Sequence, residues 1–328
     1  MIILLMALGL GVVFWLGPGS SFKTPALKKK ILMADGSIPN SFFVYLALAK
    51  GYFQEEGLDL TLEPFPSGRD ALDAMIQGKV HLATTAETPI MFAAMRGEAF
   101  YIIATLNDSE KSLAVFANRK RGIQNPADLE GRKIGVTRGT NSEFFLDSFL
   151  LFHHIPKDRV RVVDLRPDRI VEAFLRDEVD ALSIWNPHTI RLQRELGNQG
   201  ILWYSKEIYK VTWNLVAAKD WVNQDPDAVN RLFRALKRGE SFYRSNPDSS
   251  RQITADYLKM DRVQLGEVWD SFFFKVKLEQ SLLINLEDQA RWAINNKLTG
   301  QARVPNFLNY FYSRGLKEVA PDSVTLIQ

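Results

Sequence analysis

The stretch from Gly51 to Pro89 constrains this chain most, because its design recurs about a hundred residues later. The segment DRIVEAFLRDEVDALSIWNP can be laid on RDALDAMIQGKVHLATTAETP. Ala74 then falls on Ala173, Met75 on Phe174, Ile76 on Leu175, Val80 on Val179 and Thr84 on Ser183. Each copy reads as an amphipathic helix, a polar turn, a short apolar strand and a polar loop. A second pair, KKILMADGSIPNSFFVYLALAKGY and RKIGVTRGTNSEFFLDSFLLFHHI, gives strand, Gly plus hydroxyl residue, then helix in both places. One α/β unit used twice predicts two lobes, and the cleft between lobes is a common place for a small ligand.

Strands alternating with helices predict an α/β fold with mainly parallel sheets. In the first unit the strands are expected at 31–34, 58–63, 80–83, 101–106 and 112–117. In the second they are expected at 133–137, 160–164 and 179–184. Residues 212–217 read as a strand leading back to the first lobe, and the pattern is helical from Asp227 onward.

Met1 to Leu16 is an uncharged apolar run closed by Gly-Pro-Gly-Ser-Ser. Its length lies between a secretory h-region of about 7–15 residues and a spanning helix of about 20. Residues 1–22 are therefore read as a signal or membrane-anchor segment that exports the chain to the periplasm. The basic n-region and A-x-A cleavage site of an ordinary signal peptide are missing, so soluble and inner-membrane-anchored forms both stay open.

Several function classes fall away on composition. The chain has no cysteine, which removes disulfides, thiolate catalysis and Cys-based metal sites, and suits an oxidising compartment. The densest basic cluster, Lys28 to Lys30, is short and has no interleaved aromatic, so it reads as a solvated linker and no nucleic-acid partner is expected. The histidines are His81, His153, His154 and His188; none forms a spaced metal pair, and neighbours on a helix point about 100° apart. There is no G-x-S-x-G, no Walker A and no G-x-G-x-x-G after a strand. The reading is a binding protein, with no catalytic residue, metal or cofactor.

In open α/β sheets, ligands sit beyond the carboxyl ends of strands, often at helix N-termini. Four segments meet that rule: Gly36 to Ser41 with Ser37 and Asn40, the turn with Ser67 and Gly68, the loop with Thr85 and Glu87, and Gly139 to Ser142 with Thr140, Asn141 and Ser142. Each offers free N–H groups suited to an oxyanion such as a sulfonate or carboxylate, and the plain alternative for each is a helix cap. Trp185 reads as a floor of the cleft or as lobe packing. Asn186 reads as a cap or a ligand contact. Glu87 would favour a cationic ligand group, or else answer the positive end of a helix. Arg69 and Arg138 are candidate anion clamps, with solvation as their default.

The segments GYFQEEGLDL, SGRDALDAMIQGKV, NPADLEGRKIGVTRGTNSEFFLDSFL and VDALSIWNPH, with the loop before PIMFAAMRGE, resemble the nitrate/sulfonate/taurine-binding proteins of ABC importers. These are periplasmic binding proteins of the second structural type. The resemblance covers about residues 30 to 245. It implies two Rossmann-like lobes joined by two hinge strands, lobe 1 being 28–118 plus 216–328 and lobe 2 being 119–215. It implies ligand loops at Ser37–Asn40, Ser67–Gly68, Thr85–Glu87, Thr140–Ser142 and Trp185–Asn186. It implies a monomer that serves ABC permease and ATPase subunits and captures a sulfonate or a taurine-like zwitterion. The superfamily includes a thiamine-pyrimidine synthase-like branch with a cysteine-rich motif, which this chain lacks. Binding of a thiamine-precursor pyrimidine, an enzyme of pyrimidine biosynthesis and a ligand sensor are the alternative readings.

Overall fold

The computed structural model describes residues 28–327. The expected export segment, 1–22, lies outside them. Among the described residues no helix is long and apolar enough to cross a membrane.

Eleven strands form two sheets among these residues. In chain order they are β1 (Lys29–Asp35), β2 (Leu58–Pro64), β3 (Leu82–Ala86), β4 (Phe100–Ser109), β5 (Leu113–Asn118), β6 (Lys133–Val136), β7 (Arg161–Asp164), β8 (Ala181–Trp185), β9 (Gly200–Tyr204), β10 (Val211–Ala218) and β11 (Phe272–Lys277). The first sheet runs β11-β4-β10-β3-β1-β2 and the second β7-β6-β8-β5-β9. The repeat seen in the sequence is the repeat of the structure. The offset that lays Ala74 on Ala173 lays the whole of β3 on β8, and β1 and β6 are each the middle of three parallel strands.

Each sheet is mixed rather than mainly parallel: the first takes back strands from beyond the second crossing, and the second begins with a strand antiparallel to its partners. β10 pairs antiparallel with β3 and β4, and β5 pairs antiparallel with β8 and β9. The chain thus leaves the first sheet at Ser109, enters the second at Leu113, leaves it at Tyr204 and returns at Val211. This moves the boundaries expected at 118/119 and 215/216. β5 belongs wholly to the second sheet and β10 wholly to the first. An apolar run announces a strand but not its partner, which is why pattern alone placed β5 with the first unit; β10 returns to the first sheet, as residues 212–217 were read to do. Two strands went unread: β9, and β11 inside a region taken as helical. β11 is an edge strand, with Phe273 64% exposed.

Burial follows the pleat. On β5, Leu113, Val115 and Ala117 face one apolar cluster with Ile134, Phe145 and Phe149. Phe116 faces the other, with Ile170, Phe174 and Leu182. All six β5 residues are buried, as expected for a strand covered on both faces. Packing is close where Gly135 on β6 crosses this core. A β-carbon there would lie 2.8 Å from Leu182 Cδ2 and 2.9 Å from Leu165 Cδ1. Gly135→Ala is expected to destabilise the protein by about 1–3 kcal/mol through overpacking, measured by urea unfolding; an unchanged midpoint would contradict the packing described here.

Candidate ligand cleft

The carboxyl ends of the parallel strands in both sheets open onto one cavity of about 540 Å³, its mouth included. The first lobe contributes Gly36, Ile38 and Asn40 after β1, Pro66 to Arg69 after β2, Ala86 at the end of β3 and Pro89 beyond it. The second contributes Thr140 and Asn141 after β6, with Trp185 and Asn186 at the end of β8. Ser112, Val211 and Trp213 close the cavity on the side of the two crossings.

Two helix starts meet there. Ser67 caps the helix Gly68–Ile76: its hydroxyl accepts the Asp70 N–H at 3.1 Å and its carbonyl accepts the Ala71 N–H at 3.0 Å. The first-turn N–H groups of Gly68 and Arg69 are left over, as geometry requires at any helix start. Thr140 does the same for the helix Asn141–Phe152, accepting the Ser142 N–H at 3.2 Å, while its own hydroxyl donates to the Thr137 carbonyl at 2.7 Å. Ahead of it, Gly139 sits at φ +70, a left-handed turn that glycine adopts without strain. Its N–H donates to the buried Glu143 carboxylate at 2.9 Å. The hydroxyls of Ser67 and Thr140 are therefore spent on the caps, and the backbone N–H groups they leave free are what the cavity receives.

Of the residues read from the sequence, Asn40, Ser67, Gly68, Thr140, Asn141, Trp185 and Asn186 line the cavity together. Asn186 is also structural. Its N–H donates to the Ser112 carbonyl at 2.9 Å, its amide donates to the Lys111 carbonyl at 3.3 Å, and its side-chain oxygen accepts the Thr189 hydroxyl. It ties the first crossing to the helix His188–Leu196 rather than capping that helix.

Four expected residues are not in the lining. Ser37 is exposed, at φ 50, with its N–H bound to Asp35. Thr85 is fully buried within β3, one layer below Gly68, and its hydroxyl has no partner among the described residues. Ser142 is buried in a reciprocal pair with Ser183, each hydroxyl donating to the other's carbonyl at 2.6 and 2.8 Å. Glu87 is the main correction. It begins the helix Glu87–Met95 but is 0% exposed. One carboxylate oxygen accepts the Thr212 N–H and hydroxyl at 2.9 and 2.8 Å; the other faces the amides of Gln289 at 3.4 Å and Asn285 at 3.5 Å. It fastens β10, just past the second crossing, to the helix Gln280–Asn295, and it does not line the cavity.

Of the two candidate anion clamps only Arg69 lines the cavity, and a lining aromatic, Trp213, was not singled out from the sequence. Arg69 reaches across the mouth and donates to the Arg138 carbonyl of the other lobe. Arg138 itself stays off the cavity, half-exposed, 3.9 Å from Glu143. Trp213 is the omission. It lies opposite Ala86 in the β10–β3 register, and its ring packs so close to Gly68 that a β-carbon there would be 2.8 Å from Trp213 Cη2. No local signal marks it, because the β10–β3 pairing joins residues far apart in sequence. The lining carries one charged side chain, Arg69, and no carboxylate. With two helix N-termini and two indoles, the site is built for an anion with an apolar body.

Two α/β lobes with a ligand cavity between them define the architecture of a periplasmic binding protein. The family model described as NMT1/THI5 like matches residues 38–250, and the chain belongs to this family. A putative binding protein of Brucella abortus is 26% identical over 223 residues, 67% of this chain and 68% of that one. The taurine-binding periplasmic protein of Escherichia coli is 24% identical over 237 residues, 70% of this chain and 67% of that one. Among solved structures, the alkanesulfonate-binding protein SsuA of Xanthomonas axonopodis pv. citri, bound to MOPS, superposes with a TM-score of 0.76 at 15% identity, over 88% of this chain and 99% of that one.

Burial pushes the Glu87 carboxyl from 4.5 up to about 7, against the hydrogen bonds from its own N–H and Thr212 that favour its charge. From about pH 4.5 to about 7 the folded protein keeps a proton here that the unfolded chain has released. Stability should therefore fall as pH rises through that window, by at most about 1.4 kcal/mol per pH unit. Urea unfolding at several pH values should show the slope in wild type and its reduction in Glu87→Gln; equal slopes would refute the assignment. Gly68→Ala is expected to weaken ligand binding more than ten-fold, because its β-carbon would also lie 2.9 Å from the Thr85 α-carbon, which cannot give way.

Proposed function

We propose that this chain is the solute-binding component of an ABC importer and that its lobes close on a small organic sulfonate outside the cytoplasmic membrane. The observation that carries the reading is the cavity itself. First-turn N–H groups from a helix of each lobe open onto it, two indoles flank it, Arg69 stands at its mouth and no carboxylate lines it. The taurine- and alkanesulfonate-binding relatives support the same class of ligand.

The roles follow from the lining. The N–H groups of Gly68 and Asn141, with the carboxamides of Asn40 and Asn141, hold the sulfonate oxygens. Trp185 and Trp213 enclose the organic body. Arg69 closes the mouth by its reach to Arg138. In this reading β4 and β10 flank the hinge, the lobes meet at the two crossings, and a permease with its ATPase receives the closed form. With Glu87 sealed behind β10, a ligand ammonium finds no partner, so an alkyl or aryl sulfonate fits better than taurine.

A buried hydrogen bond to a charged acceptor contributes about 1.5–3 kcal/mol, so loss of one should weaken binding ten-fold or more. Calorimetry with 1-butanesulfonate, taurine, nitrate and an aminopyrimidine tests this. The alkanesulfonate should bind most tightly, Asn141→Ala should weaken it at least ten-fold, and Glu87→Gln should leave it within two-fold. Tightest binding of the uncharged pyrimidine would overturn the anion reading, and tightest binding of taurine would overturn the preference against an amine.

A further inference from the structure

Behind Trp213 lies a carboxylate that the proposed binding contacts do not use. Asp35 ends β1 and is 2% exposed. One of its oxygens accepts the hydroxyls of Ser41 and, at 2.5 Å, Thr84. The other accepts the Tyr45 hydroxyl at 2.5 Å and the Ser37 N–H at 2.8 Å. All four partners are neutral, so a buried carboxylate is held by hydrogen bonds alone, an arrangement that is costly unless every partner stays in place.

Two walls of the cavity depend on these bonds. Ser41 has a single proton and gives it to Asp35, which leaves a lone pair facing Trp213. The indole N–H, a donor only, reaches that lone pair at 2.9 Å. A chain running from a carboxylate through a hydroxyl to an N–H is charge-assisted and stronger than its neutral counterpart. On the other side, the bond to the Ser37 N–H holds a non-glycine residue at φ 50 and thereby shapes the turn from Gly36 to Ile38, which lines the cavity. Tyr45 keeps its proton and remains a donor, because burial and then the charge of Asp35 raise its hydroxyl well above the usual phenol value.

We propose that Asp35 is a positioning residue of the ligand site, acting through Ser41 to keep the Trp213 N–H out of the cavity and to present the indole as an apolar wall. This rests on the reading of that cavity as the ligand site. It also bears on specificity: a Trp213 whose N–H is taken inward offers no donor to ligand, so the polar end of the ligand must lie toward the helix starts.

The test has a readout that needs no ligand. In protein carrying ¹⁵N-labelled tryptophan, the Trp213 indole N–H is assigned by its disappearance in Trp213→Phe. It should exchange slowly with water in wild type, and at least ten-fold faster in Ser41→Ala and in Asp35→Asn, with the other indoles unmoved. For 1-butanesulfonate, Ser41→Ala should weaken binding about ten-fold in the wild-type background and less than two-fold in Trp213→Phe. Unchanged exchange in Ser41→Ala, or equal losses in both backgrounds, would overturn the proposal and leave Asp35 a merely structural residue. If Asp35→Asn does not fold, Ser41→Ala carries both measurements. If wild type binds no sulfonate, the ligand assignment fails, while the exchange rates still decide whether the relay exists.

Discussion

The pairing of β10 between β3 and β4 is the constraint on which the rest of the molecule depends. It returns the chain from the second sheet into the middle of the first, where its N–H and C=O groups are satisfied on both sides. β5 lies between β8 and β9 in the second sheet. The first sheet is thus completed by strands from beyond the second crossing, whereas all five strands of the second come from the stretch between the crossings. The β10 insertion carries Trp213 to the cavity and brings Thr212 onto Glu87.

Lobe contact is spread over several modest interactions. Arg69 reaches the Arg138 carbonyl, Arg194 pairs with Glu267 at 3.0 Å, and the Trp292 indole donates to Asp147 at 2.9 Å. Phe144 of the second lobe packs edge-on against Trp292 and Tyr209, with ring centres 5.1 and 5.0 Å away. Exposed ion pairs such as Arg194–Glu267 contribute about 0–1 kcal/mol each. Contacts this weak would let the two bodies separate and close, as the proposed function requires, whereas the strand pairing at the crossings is continuous and keeps the bodies attached.

Two buried carboxylates illustrate how position in the fold decides a residue's work. Asp35 and Glu87 both stand at strand-to-helix junctions next to the cavity, and both are held by neutral donors. Asp35 is turned toward Ser41 and so acts on the cavity wall. Glu87 is turned toward β10 and the helix Gln280–Asn295 and so acts on the hinge side. The sequence marked the second as the ligand contact and did not mark the first. A carboxylate at a helix start looks the same in either direction, since the side on which it is buried depends on what packs against that helix.

The duplicated α/β unit was legible because helix and strand periodicity are local, and a repeat of Ala74–Thr84 at Ala173–Ser183 can be read without knowing any contact. The cap residues Ser67 and Thr140 and the free N–H groups beside Gly68 and Asn141 were legible for the same reason: a cap is a matter of a few consecutive residues. Partnership was not. Which sheet β5 and β10 join, that β11 is an edge strand, that Trp213 rather than Glu87 faces the cavity, and that Arg69 spans the mouth are all settled between residues distant along the chain. The sequence by itself determined nine of the eleven described strands, their order and the helix starts capped by Ser67 and Thr140. Only the tertiary structure decided which side chains meet there, because burial and hydrogen-bond partners belong to the packed lobes and not to any local stretch of chain.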